Sequence, residues 1–75
     1  MWLVVIGEVV VNLFDIRKKY ALIMHDEDGV LMDCKCTVVA KSNESLQLDI
    51  FEKNGNTHHE KVWVEWRDLE GYMEL

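Results

Sequence analysis

The sequence predicts an all-β fold, a small antiparallel meander closing into a five- to six-stranded barrel with one short helical turn near the C-terminus. Three observations predict it. Runs rich in Val, Ile, Leu and aromatic residues alternate with turn chemistry along the whole chain. There is no proline, no repeat and no low-complexity stretch to mark a linker, so residues 1–75 read as a single domain. Hairpin registers written independently for successive runs all select one shared interior face.

The elements follow in order. Trp2 to Phe14 is rich in Val, Leu and Ile and interrupted by Gly7, which predicts one long strand bent at a glycine, because so many β-branched residues disfavour a helix. After a connection over Asp15 to Lys19, Tyr20 to His25 is the next strand, and Asp26-Glu27-Asp28-Gly29 supplies a turn. Val30 to Lys41 and Ser45 to Glu52 are strands joined by Ser42-Asn43-Glu44. Asn54-Gly55-Asn56 is the strongest turn signal and leads into a strand over His58 to Trp66. The tail from Trp66 reads as one helical turn followed by a short strand at Tyr72 to Leu75, with Trp66 plugging the barrel end.

Opposed residues in an antiparallel hairpin share a face, and a one-residue slip inverts the assignment. A Glu27-Asp28-Gly29 loop with Gly29 left-handed sets Met24 against Met32, Leu22 against Cys34 and Tyr20 against Cys36. A Ser42-Asn43-Glu44 loop sets Ala40 against Leu46, Val38 against Leu48 and Cys36 against Ile50. A two-residue Asn-Gly turn would set Leu48 against Lys61 and Asp49 against Glu60, mixing faces and pairing like charges. A three-residue loop, Asn54 to Asn56, instead sets Leu48 against Val62, Leu46 against Val64 and Asp49 against Lys61. The other face carries Asp33, Lys35, Thr37, Gln47, Asp49, Lys61 and Glu65, as a solvated face should.

From Tyr20 to Leu75 this order of elements resembles the small SH3-like barrels, most closely the Sm-like variant. Val62-Trp63-Val64-Glu65-Trp66-Arg67 takes the place of the strand that ends in that family's Arg-Gly signature. The resemblance implies nucleic-acid binding or ring assembly. The chain has Lys41-Ser42-Asn43-Glu44-Ser45 where the family carries Asp and Asn, Arg67-Asp68 where it carries Arg-Gly, and a strand where Sm-like rings have an N-terminal helix.

Charge points elsewhere. Fourteen acidic against eight basic residues give a net charge of -6, a field that repels phosphate backbones unless the cations cluster. The only basic run is Arg17-Lys18-Lys19, so a nucleic-acid site would use Arg17, Lys18, Lys19, Tyr20 and Arg67. Exposed large apolar residues are more informative than buried ones. On the registers above, Trp63, Val39, Phe51, Ile23 and Leu31 fall on the solvated face, where they form a protein-interaction patch or a second small core under the N-terminal strand or the terminal turn.

No catalytic motif, cofactor or metal is expected. Cys34 and Cys36 at i, i+2 are read as free buried thiols, and a C-x-C pair lacks the ligand spacing of structural zinc. His58 and His59 are adjacent on a strand and point to opposite faces. His25 beside Asp26 and Asp28 is accounted for by turn chemistry, and Asp26-Glu27-Asp28 is too short for a calcium loop.

The start of the chain lacks a basic region ahead of its apolar residues and meets Glu8 early, and no apolar run is long enough to span a bilayer. A soluble, cytoplasmic protein is therefore expected. Its expected function is that of a non-catalytic acidic interaction module with a protein partner or a second copy of itself. One version is a small inhibitor, of phage or mobile-element type, that blocks a basic nucleic-acid-handling protein. The alternatives are an Sm-like or SH3-like nucleic-acid binder, and a structural subunit assembling through strand pairing.

Overall fold

In the computed structural model, residues 6–75 are described. They form a helix α1 (Ile6–Val11), strands β1 (Lys19–His25), β2 (Leu31–Lys41), β3 (Ser45–Lys53) and β4 (Asn56–Glu65), a 3-10 turn (Trp66–Asp68) and strand β5 (Leu69–Glu74). All five strands are antiparallel neighbours in one sheet of order β4-β3-β2-β1-β5. The meander is therefore present, with the last strand returning beside the first. The sheet is not closed: β4 and β5 are its two edges.

The β1–β2 hairpin has the register the sequence dictates, with Met24 opposite Met32, Leu22 opposite Cys34 and Tyr20 opposite Cys36. Gly29 sits at φ 77°, a conformation that favours glycine, and the Asp26 carboxylate accepts the amides of Asp28 and Val30 at 2.9 Å each. In β2–β3, Val38 faces Leu48 and Cys36 faces Ile50 as expected. The expected Ala40–Leu46 pair is replaced by Ala40–Gln47, because Val39 is an extra residue on β2.

The β3–β4 hairpin corrects the expected three-residue loop. Lys53 pairs with Asn56, leaving Asn54 and Gly55 as a two-residue turn with φ 50° and 83°. Leu48 nevertheless faces Val62 and Asp49 faces Lys61. A bulge reconciles the two: between the Ile50–Glu60 and Glu52–Thr57 pairs, β3 contributes Phe51 while β4 contributes both His58 and His59. The extra residue lies in the strand, so the interior register survives. Register shifts also occur within β2–β3 and β1–β5, and bulges of this kind bend a sheet about its interior.

That interior is made by Tyr20, Leu22, Met24, Cys34, Cys36, Val38, Leu46, Leu48, Ile50 and Val64, all buried, with Met32 and Val62 half-buried against them. The strand expected over Trp2 to Phe14 is not formed where the structure is described, and residues 1–5 lie outside the described residues. Ile6–Val11 is helical instead. Gly7, Val10 and Val11 fall at i, i+3 and i+4 on one face of the helix, and Phe14 follows in the turn beyond it, its amide donating to the Val11 carbonyl at 3.2 Å. Val11 and Phe14 are buried in the core and Val10 packs against it. Burial of that face outweighs the few tenths of a kcal/mol per residue by which Val disfavours helix.

Two contacts anchor the end of this segment to the sheet. Lys41 Nζ donates to the Phe14 carbonyl at 2.8 Å, and the Asp15 amide donates to the Tyr20 hydroxyl at 2.8 Å. The Phe14 ring meets Tyr20 edge-on at 5.0 Å and Tyr72 at 4.9 Å. Among the described residues, no helix is long and apolar enough to cross a membrane.

Candidate functional site

The sheet presents its outer face as cross-strand rows set by the registers. Trp63, Gln47 and Ala40 form one row, with Val39 at the adjacent bulge. Lys61, Asp49, Thr37 and Lys19 form the next. Beyond it, Glu52, Lys35, Ala21 and Met73 make a row, followed by Asp33, Ile23 and Gly71.

The predicted apolar patch is therefore divided. Trp63 lies on the β4 edge, half exposed at 50%, with half-buried Val39 near it. Ile23 lies beyond two polar rows, on the β1–β5 side. There it lines a second groove with Ala21, Gly71 and Met73, and the Lys35–Glu52 ion pair at 3.2 Å crosses this face. Phe51 sits at its bulge between the two clusters, partly covered by the Lys19 ammonium 5.6 Å from its ring centroid. Leu31 is exposed at the β1–β2 turn, opposite His25. The five residues are exposed or half-exposed, but they do not form one surface.

The helix accounts for part of what the sequence left open. It packs on the interior face, near β3 and the 3-10 turn, so it does not cover Trp63. Trp66 in the 3-10 turn, rather than Trp63, is the tryptophan that the helix meets. It packs against the core, half-buried, with the Arg67 guanidinium 5.6 Å from its ring centroid.

Two of the four basic candidates are held by carboxylates. Lys18 lies 3.4 Å from Asp15 and 3.3 Å from Glu74, and the Glu74 carboxylate is the main reason its pKa is raised. Arg67 pairs with Glu65 at 3.7 Å, and Lys19 is engaged with Phe51. Tyr20 corrects the sequence expectation outright. Its side chain is 1% exposed in the core and cannot stack on a base. Arg17 and Lys19 are exposed with no ion pair among the described residues; the Arg17 backbone at φ 77° donates to the Val38 carbonyl at 2.7 Å.

The cysteines are buried and unpaired. The Cys36 thiol is pushed up in pKa by the neighbouring Cys34 sulfur and by burial, so it is held protonated and unreactive at neutral pH. Among the described residues, no group of three or more His, Cys, Asp or Glu side chains is placed to hold a metal ion.

One feature escaped the sequence reading. Among the described residues the edge of β4 does not meet a further strand, and between it and the β1–β2 turn runs a groove of about 580 Å³. Interior side chains form its floor, and Asp68 of the 3-10 turn stands at its margin. The groove results from the sheet remaining open, which no pairing rule applied to the sequence could reveal. No family model, curated protein or solved structure matches the chain.

Proposed function

We propose that this chain is a non-catalytic protein-interaction module built on an open, bent sheet of the SH3-like or Sm-like kind, and that it engages a protein partner along the β4 edge. The observation that carries this reading is Trp63, half exposed on a strand whose outer edge has no neighbour among the described residues. An edge strand offers unpaired backbone donors and acceptors, and Trp is enriched at interaction hot spots, where its truncation often costs about 2 kcal/mol or more. Together they supply both backbone pairing and an apolar anchor. The barrel kinship is supported by the strand order, the 3-10 turn before the last strand and the N-terminal helix typical of Sm-like rings.

The nucleic-acid alternative has less support. Two of its four cations, Lys18 and Arg67, are paired with Asp15, Glu74 and Glu65, its aromatic Tyr20 is internal, and the net charge is -6. An acidic module that occupies a basic protein, as an inhibitor would, agrees better with that balance.

The test is a nuclease-treated capture with wild type and Trp63→Ala as baits, followed by reconstitution of the complex from purified components. One protein retained at fixed stoichiometry by wild type and lost by a folded Trp63→Ala supports the reading. Retention of nucleic acid alone, or equal recovery by both baits, contradicts it.

A further inference from the structure

We propose that the groove between β4 and the β1–β2 turn binds an extended, Arg- or Lys-bearing segment of the partner protein; this rests on the interaction reading above and names the partner's chemistry. The floor is apolar: Met24 and Ile50 are buried beneath it, while Met32 and Val62 are only half-buried and still offer apolar surface. The rim is acidic. Asp26, Glu27 and Asp28 come from the β1–β2 turn, Glu60 from β4 and Asp68 from the 3-10 turn, against Lys53 and His25 as the basic groups.

These carboxylates do not all have partners within the fold. Asp26 is used by the turn amides and Glu60 by His58 at 2.9 Å, and His25 lies 3.3 Å from Glu70. Glu27, Asp28 and Asp68 are in no ion pair among the described residues. An apolar floor under a rim of free carboxylates complements a side chain that carries a cation on a methylene stem, and Arg and Lys are built that way.

The partner's backbone is specified separately. Glu60 to Val64 borders the groove along an edge with no further strand among the described residues, so an extended segment can pair there while alternate side chains meet floor and rim. The same charge disfavours two other occupants. A second copy would bring an identical acidic rim and another -6, and a phosphate backbone would be repelled.

The probe is a labelled six-residue peptide of alternating Val and Arg, compared with Val/Gln and Val/Glu peptides by fluorescence polarisation. Amide NMR shifts map the site on the protein. The Val/Arg peptide is expected to bind, shifting amides of Met24 to Asp28, Glu60 to Val64 and Asp68. Raising salt from about 50 to about 500 mM should weaken it severalfold. Glu27→Lys/Asp28→Lys should reduce affinity about tenfold or more. Glu8→Lys/Asp33→Lys makes the same charge change at exposed positions outside the groove and should reduce it less than about twofold.

Equal binding of the Val/Gln peptide, equal loss with both double variants, shifts elsewhere, or no binding at about millimolar peptide would each overturn the proposal. In the capture experiment, a protein that requires Trp63 but ignores Glu27→Lys/Asp28→Lys would overturn the groove and leave the interaction module standing. A protein indifferent to both variants would overturn both.

Discussion

Gly7 lies so close to Trp66 that a Cβ at residue 7 would fall 2.7 Å from the indole Nε1 and 2.8 Å from Cδ1. The helix thus approaches the 3-10 turn through the one residue small enough to allow it, and Gly7 is buried there. The indole Nε1 is itself buried with no hydrogen-bond partner among the described residues. Ala is the better helix former by about 1 kcal/mol, so local propensity alone favours Gly7→Ala. The contact predicts the reverse, a destabilisation of about 1–3 kcal/mol by overpacking. Urea unfolding of Gly7→Ala, Trp66→Phe and the double variant should show the second substitution relieving much of the first.

The segment that follows is pinned at Phe14. Phe14→Ala should cost about 3–5 kcal/mol, as for a buried aromatic. Lys41→Met keeps most of the stem and removes the donor to the Phe14 carbonyl, which should cost about 1–2 kcal/mol. Chemical denaturation measures both. A neutral Lys41→Met would mean that water replaces the ammonium without loss.

Cys36 gives a pH dependence with a definite sign. Burial and the Cys34 sulfur raise the folded-state pKa of Cys36, so above the unfolded-state value near 8.5 the unfolded chain binds fewer protons than the native one. The Cys36 contribution is then fully present below about pH 8.5 and falls above it by about 1.4 kcal/mol per pH unit; Cys34, lowered by its hydrogen bond with Cys36, is shifted the opposite way and adds nothing to the fall. Denaturation at a series of alkaline pH values should show this fall, and Cys36→Ala should flatten it. A thiol reagent at neutral pH should react with native protein no faster than the protein opens.

Much of the fold was legible because the interior alternates cleanly. Tyr20, Leu22 and Met24 can face Cys36, Cys34 and Met32 in only one register, and that register is present. The same constraint fixed Leu48 against Val62, although the loop inferred from it was one residue too long, since a bulge at His58 and His59 and a longer turn move the register equally. The helix was hidden because Val counts as a strand former, while the i, i+3, i+4 spacing of Gly7, Val10 and Val11 is a weaker signal over so short a run. The candidate surface was half legible. Facing alternation exposed Trp63 and Ile23 correctly, but their separation by two polar rows depends on strand order, and the groove beside β4 depends on the sheet staying open.

Trp63 should matter little to stability. Its side chain is half exposed, so Trp63→Ala should move the unfolding free energy by less than about 1 kcal/mol, whereas Leu48→Ala in the core should cost about 2–5 kcal/mol. A large loss for Trp63→Ala in urea unfolding would mean that the residue serves the fold.

The central claim is that β4 and Trp63 meet a protein partner, and amide hydrogen exchange with and without the reconstituted partner tests it most directly. Added protection is expected along Glu60 to Val64 on β4, with Arg17 to Lys19 and Arg67 unchanged. Protection confined to Arg17 to Lys19 and Arg67, or none along β4, would contradict it.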